Sequence, residues 1–276
     1  MISVMDLTHH QQKQFLETLW NYYAEFGRAE LPWRTPEPDG SVSPYKVMVS
    51  ELMLQQTQVG RVIPKYHEFL ARFPTVSVLA HAELGDALRA WQGLGYNRRA
   101  KYLWQAAQIV DNLKHFPTVV ADLVRLPGVG INTAGAIAAY AYNSPVVFVE
   151  TNIRTVYIHH FFADRMDVTD KEIVEVVAQT LDTEHPREFY WALMDYGSHL
   201  KATVGNANKA SKHYTKQSRF TGSKRQIRGQ VIKLLGGGAQ TLDGLVGSIQ
   251  DERLAAVLEE LIEEGMVQQN GGQYYL

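Results

Sequence analysis

Apolar positions recur at helical spacing from the N-terminal region to about residue 200. In HHQQKQFLETLWNYYAEFGR, Phe15, Leu19, Tyr22, Tyr23 and Phe26 fall on one face, which predicts an amphipathic helix. LPWRTPEPDGSVSP follows as a loop punctuated by proline and glycine. Short helices with short connections are predicted next, over YKVMVSELMLQQTQ, GRVIPKYHEFLARF, SVLAHA, GDALRAWQGL, RAKYLWQAAQIVDNL and VVADLVRL. AGAIAAYAY, TNIRTVYIHHFFA, DKEIVEVVAQTLD and PREFYWALMDYGSHLKA continue the pattern, and this region lacks the alternation of strands. The expectation is an all-α bundle.

The tail reads differently. KRQIRGQVIKLL, TLDGLVGSI and DERLAAVLEELIEEG predict three helices, and MVQQNGGQYYL alternates around an Asn-Gly-Gly turn, which predicts a hairpin. Three helices and a hairpin form a winged-helix pattern, which serves DNA or protein partners alike.

Composition narrows the classes. With 276 residues, 45% of them hydrophobic, the chain can bury a substantial core in two or three domains. No apolar run reaches the length of a membrane span and MISVMDLTHHQQKQ has no signal-peptide core, so a soluble cytosolic protein without a membrane partner is expected. Nothing calls for an obligate protein partner. The chain has no cysteine, which excludes disulfides, thiolate zinc sites and iron–sulfur clusters held by thiolates. A net charge of -2 conceals an uneven distribution. From Tyr196 to Leu242 there is no acid, while Lys201, Lys209, Lys212, Lys216, Arg219, Lys224, Arg225, Arg228 and Lys233 all fall there. A polyanion such as nucleic acid is the partner this block predicts, against a solvated linker as the plainer reading.

LPGVGINTAGA places two glycines before a helix start. Gly128 and Gly130 either close a tight loop or leave helix N-terminal amides bare for a phosphate. Two carboxylates stand out elsewhere. Glu51 shares a helix stripe with Val47, Met48, Leu54 and Gln55, where desolvation would favour a proton donor; a Glu reaching out to water is the alternative. Glu150 ends the apolar run SPVVFVE just before a helix whose expected cap is Thr151 or Asn152. It serves either the helix dipole or a reacting centre. One protonated and one ionised carboxyl suit cleavage of a glycosidic bond, including the N-glycosidic bond of a nucleotide.

The segments LPWR, PYKVMVSELMLQQTQV, ARFPTV, WQGLGYNRRAKYL, LPGVGINTAGAI and MDYG resemble, in order and spacing, the adenine DNA glycosylases of the MutY type. These belong to the helix-hairpin-helix superfamily, and the resemblance runs from about Leu31 to Gly197. It implies an all-α, two-lobed helix-hairpin-helix glycosylase fold over 1–220, followed by a winged-helix domain over 221–276. The implied six-helix lobe covers about 36–145, and the second lobe 1–35 plus 146–220. The implied partner is double-stranded DNA containing a lesion or mispair, with the target base flipped out. LPGVG is similar to the hairpin whose amides grip a phosphate, commonly with a monovalent cation.

By the same resemblance Glu51 stands where the family keeps its general acid, and Gln55, Gln56 and Tyr96 where side chains enter the duplex. Asn152 matches the asparagine beside the family's catalytic aspartate, and Glu150 takes that aspartate's place. Asn132 occupies the position of the lysine nucleophile in bifunctional lyases, so a monofunctional enzyme is expected. The positions of the cluster ligands read Lys201, Asn208, Ser211 and Gln217, and the basic loop with Lys209, Lys212 and Lys216 is expected to take over phosphate contacts. The family's 8-oxoguanine-reading domain is replaced by the winged helix. The expectation is a DNA N-glycosylase that removes mispaired adenine or an oxidised pyrimidine such as a hydroxylated cytosine. A non-catalytic damage sensor, a winged-helix DNA-binding regulator and a protein-binding scaffold remain the alternatives.

Overall fold

The computed structural model describes residues 6–216 and 219–276. Its helices are α1 (His9–Phe26), α2 (Pro44–Leu54), α3 (Val59–Arg72), α4 (Val76–Ala80), α5 (Leu84–Ala90), α6 (Arg98–Leu113), α7 (Val120–Leu123) and α8 (Ile131–Tyr142). There follow α9 (Thr151–Phe161), α10 (Asp170–Thr180), α11 (Pro186–Thr203), α12 (Lys224–Gly236), α13 (Leu242–Ser248) and α14 (Leu254–Glu263). Three short strands complete it: β1 (Gln240–Thr241), β2 (Gln268–Asn270) and β3 (Gln273–Tyr275). An all-α body with a small C-terminal winged helix is thus what the chain forms. Two compact units divide it. One contains Met1–Val47, Thr118–Val124 and Val129–Lys216; the other contains Met48–Pro117, Arg125–Gly128 and Gln217–Leu276.

In the first unit, local signals start the helices and one buried cluster joins distant ones. Thr8 with Gln11 and Thr169 with Glu172 form capping boxes that satisfy the first amides of α1 and α10. Helix α8 is built from small residues, and almost its whole length from Ala134 to Ala141 is buried. Gly197 on α11 lies so close to the backbone of Asn152 that a Cβ there would collide with it. That contact lets α11 pack against the first turn of α9. The carboxylate of Asp195, fully buried, accepts paired bonds of 2.8 Å from the Arg34 guanidinium. It also accepts from the Arg28 backbone N–H and side chain. LPWR and MDYG, far apart in sequence, are therefore one buried ion cluster.

In the second unit, Val62, Tyr66 and Phe69 of α3 and Leu103, Ala106, Ala107 and Val110 of α6 are buried along helical faces. The winged helix belongs to the same unit. Its sheet has the order β1-β3-β2, antiparallel, with Gln269 opposite Tyr274 and Gln240 opposite the same Tyr274. Gly271 and Gly272, at φ 56° and 77°, make the two-residue turn that the Asn-Gly-Gly stretch predicts. Among the expected helices, α2, α5 and α7 are shorter than their patterns. α2 stops at Leu54 instead of reaching Gln58, because Gln56 adopts φ 56° and leaves the helical region.

The Asp195 cluster gives a pH prediction. Burial alone would raise this carboxyl, but Arg34 and Arg28 outweigh it and hold the pKa below the ordinary 3.8. Its contribution is therefore present above that ordinary value and lost as pH falls through the depressed one. Asp195→Asn should cost about 3–5 kcal/mol at pH 7, the usual result of leaving one side of a buried pair uncompensated. The gap between the variant and the parent should begin to narrow as the pH falls below 3.8 and go on narrowing through the depressed value. Denaturant melts from pH 3 to 8 check this; a pH-independent gap would contradict it.

Candidate DNA-processing site

Leu126 to Gly130 forms the turn before α8. Gly128 has φ 78°, and an added Cβ would lie 2.8 Å from the Tyr102 Cβ and 3.0 Å from the Leu52 Cδ2. Only glycine fits there, by conformation and by space. Gly130 is different: it is the N-cap of α8 with φ -80°, and a Cβ would meet nothing within 4 Å. Of the two glycines, Gly128 alone has positive φ. Gly130 instead leaves open the approach to the first amides of α8, which no capping side chain covers. Bare amides at the positive end of a twelve-residue helix are suited to a phosphate. Asn132 is exposed in the first turn of α8.

Glu51 lies half-buried in the last turn of α2, on a stripe with buried Val47 and Met48. Gln55 and Gln56 follow directly, and Tyr96 comes from the loop before α6. Gln56 and Tyr96 both occupy left-handed backbone, at φ 56° and 48°, where a side-chain-bearing residue is strained. What holds them is a residue that the sequence reading passed over. Arg99, only 7% exposed, donates through Nη1 to the carbonyls of Leu52 (2.6 Å), Met53 (3.1 Å) and Gln55 (2.6 Å). Through Nη2 it donates to the Thr57 hydroxyl and to the carbonyls of Leu94 and Gly95, at 3.1 to 3.2 Å. Its guanidinium also lies 5.3 Å from the Tyr96 ring centre. Burial pulls its pKa down to about 10, so it stays charged at neutral pH.

Arg99 thus caps the C-terminal carbonyls of α2 and ties the loop of Gln55 to the loop of Tyr96. This bond pattern is why α2 ends where it does. A signal existed: Arg99 falls on the apolar stripe of α6, four residues before Leu103.

Glu150 belongs to the other unit, and there the structure corrects the expected cap. The N-cap of α9 is Glu150 itself; neither Thr151 nor Asn152 has that role. Its Oε1 accepts from the N–H groups of Asn152 (2.5 Å) and Ile153 (3.0 Å). A carboxylate reaches these amides because the preceding run is extended and the side chain folds back over the first turn. Burial pushes its pKa up from 4.5, opposed by those two amides and by Arg154. The Asn152 side chain lies against the Met194 sulfur at 3.9 Å.

The positions of the implied cluster ligands do something else. Asn208, 4% exposed, donates Nδ2 to the Thr151 carbonyl (3.2 Å) and the Thr155 hydroxyl (2.5 Å). Ser211 forms a bridge with Val168, through Val168 N–H to the Ala210 carbonyl and Lys212 N–H to the Val168 carbonyl. Lys201 is exposed, and Gln217 lies outside the described residues. Oxygen and nitrogen side chains engaged in this way do not fit a thiolate-held cluster. Among the described residues no group of three or more His, Cys, Asp or Glu could hold a metal ion.

The basic block also divides. Lys209, Lys212 and Lys216 are exposed. Lys224 and Arg228 instead pair with Glu260 and Glu264 of α14, and Arg225 lies on Tyr96. Exposed Glu259 and Glu263 make α14 an acidic surface, unsuited to the groove of a polyanion.

Comparison with known proteins gives the family and the fold. The family model described as HhH-GPD superfamily base excision DNA repair protein matches residues 49–179. The adenine DNA glycosylase of Buchnera aphidicola subsp. Baizongia pistaciae is 36% identical over 190 residues, covering 67% of this chain and 52% of that protein. The chain thus spans about half the length of that relative. The adenine DNA glycosylase of Mycobacterium tuberculosis is 36% identical over 231 residues, covering 75% of this chain and 73% of that protein. Among solved structures, a thermostable thymine-DNA glycosylase shares the fold with a TM-score of 0.61 at 22% identity, over 70% of this chain and 88% of its own. A non-covalent endonuclease III–DNA complex does so at 0.59 and 18% identity, over 72% and 91%.

The two hairpin glycines should separate in experiment. Gly128→Ala should cost about 1–3 kcal/mol of stability through backbone strain and its clash. Gly130→Ala should keep the melting temperature and weaken binding to damaged and undamaged duplexes alike, since the amides it shields read backbone and not bases. Calorimetry with fluorescence anisotropy measures both. A Gly130→Ala variant that loses affinity for only one duplex contradicts the phosphate role.

Proposed function

The chain belongs to the helix-hairpin-helix superfamily of base excision DNA repair proteins, in its MutY-type branch, and from that premise we propose that it is a monofunctional DNA N-glycosylase. Mispaired adenine is the base to test first, after the relatives' name, and a hydroxylated cytosine second. The single observation that carries the reading is Glu150. Folding holds a desolvated carboxylate at the start of α9 although burial disfavours its charge. Such a placement makes sense where a positive centre is to be met.

In this reading Glu51 is the acid. It lies in the last turn of α2, on the stripe of Val47 and Met48. Glu51 gives its proton to the departing base as the C1′–N bond breaks, and the bonding electrons leave with the base. The sugar becomes oxocarbenium-like, and ionised Glu150 stabilises it. Water then adds at C1′, and the proton it loses restores Glu51. The products are free base and an intact abasic sugar. Asn152, on the same turn, keeps the approach to Glu150 in shape. Asn132 carries an amide and no amine, so it cannot form a Schiff base with that sugar.

The remaining residues hold the DNA. The amides after Gly130 and the ammonium groups of Lys209, Lys212 and Lys216 take phosphates. Gln55, Gln56 and Tyr96 enter the stack around the flipped nucleotide.

Single-turnover excision on a panel of mispairs and lesions, each followed by hot alkali, tests the proposal. Glu51→Gln should lower the rate about 10²–10⁴-fold, as loss of a general acid does. Glu150→Gln should lower it about 10²–10³-fold. The wild-type rate should fall on the acid side at a pH above that of an ordinary glutamate, because the raised pKa brings protonation earlier. A raised carboxyl makes the folded state bind its proton more tightly, so this contribution to stability is lost as pH rises. Glu150→Gln should therefore melt no lower than wild type at pH 8. A purely structural cap would instead lose about 0.5–2 kcal/mol. Borohydride should trap no covalent adduct. Excision by none of the panel, or a trapped adduct, would sink the reading.

A further inference from the structure

The winged helix is fastened to the lobe it shares. Glu264, at the end of α14, pairs with Arg98 of α6 and Arg228 of α12, and its carbonyl accepts from Lys101. Gly236 of α12 has the Gln92 side chain against it, and a Cβ on Gly85 would lie 3.1 Å from Leu276. These contacts come from both ends of the C-terminal segment and set the first turn of α12 beside the loop of Tyr96.

On that turn the cations differ in what they meet. Lys224 and Arg228 meet acids of their own domain. Arg225 meets Tyr96: its Nη1 donates to the phenol oxygen, and its guanidinium lies 5.2 Å from the ring centre. Arg99 lies 5.3 Å from the same ring. A planar guanidinium can hold a phenol by edge and face together, which a point-like ammonium cannot. Tyr96 already has a strained left-handed backbone, so its ring direction is fixed at three points: backbone, Arg99 and Arg225.

We propose that Arg225 is a positioning residue for the Tyr96 wedge, which makes the C-terminal winged helix part of lesion recognition. The proposal rests on the reading of Tyr96 as a side chain that enters the duplex. The helix that would read DNA in a winged-helix protein, α14, is acidic and holds the lobe. α12 presents the guanidinium that presets the wedge. Preorganisation of this kind removes an ordering step from duplex entry.

The test is stopped-flow fluorescence on the full chain, with a duplex carrying 2-aminopurine beside the target pair. Arg225→Ala and Tyr96→Phe should each slow the unstacking signal about ten-fold, the loss expected for one charge-assisted hydrogen bond. The double variant should be no slower than either single one, since both remove the same contact. Arg225→Lys keeps the charge and a folded chain; it should retain duplex affinity and still show the slow signal. Additive losses, or full recovery with lysine, would make Arg225 a phosphate contact and overturn the proposal. A signal lost in Tyr96→Ala but unchanged in Arg225→Ala overturns it as well, while leaving the wedge reading intact. A signal that survives Tyr96→Ala removes the wedge reading and this proposal with it.

Discussion

The guanidinium of Arg99 is buried, charged, and surrounded by backbone carbonyls. Five of them and one hydroxyl accept from it, drawn from the end of α2, the turn after it and the loop before α6. Helix C-termini leave carbonyls without intrahelical partners, and a cation is the group that best satisfies them. The bonds here stop α2 one turn beyond Glu51 and hold Gln56 and Tyr96 in backbone conformations they would otherwise avoid. The cation sits in the first turn of α6, where the helix dipole opposes it. A local rule is broken at that point, and what is gained is the fixed geometry of two loops.

The other unit solves a similar problem with an amide, a glycine and an ion cluster. Glu150 must keep its place at the start of α9 against the pull of solvent. Asn208 ties that turn to the loop after α11, and Gly197 lets α11 come into contact with Asn152. The buried Asp195 with Arg34 and Arg28 sits two residues from Gly197 and fixes α11 against the N-terminal loop. At two of the positions where the resemblance implies cluster ligands, Asn208 donates ordinary hydrogen bonds and Ser211 forms a backbone bridge. Each of these contacts joins segments that are distant in sequence.

Periodicity made the helices and the C-terminal hairpin legible, because burial of one face repeats at 3.6 residues and Asn-Gly-Gly has few other uses. Glu51, Glu150 and Gly128 stand out from their apolar stripe, apolar run and helix start, and Tyr96 from the order of motifs. Their settings do not. Glu150 was read as a first-turn neighbour of the cap, while it is the cap, since propensity favours Thr or Asn there and tertiary burial decided otherwise. The acid-free block reads as one basic surface, but Lys224, Arg225 and Arg228 pair with Glu260, Tyr96 and Glu264, which lie 36 to 129 positions away, a separation that no window of sequence covers. Arg99 could have been noticed on its apolar stripe. Its acceptors, being backbone, leave no trace in composition.

Arg99 thus joins the end of α2, which carries Glu51, and the turn of Gln55 and Gln56 to the loop of Tyr96. Amide hydrogen exchange of Arg99→Lys against the wild-type chain addresses this directly, because an ammonium cannot span both sets of acceptors. The amides of residues 55–57 and 94–96 should lose protection together, while α9 and α11 keep theirs. Unchanged protection in both loops, or an equal loss across every helix, would contradict it.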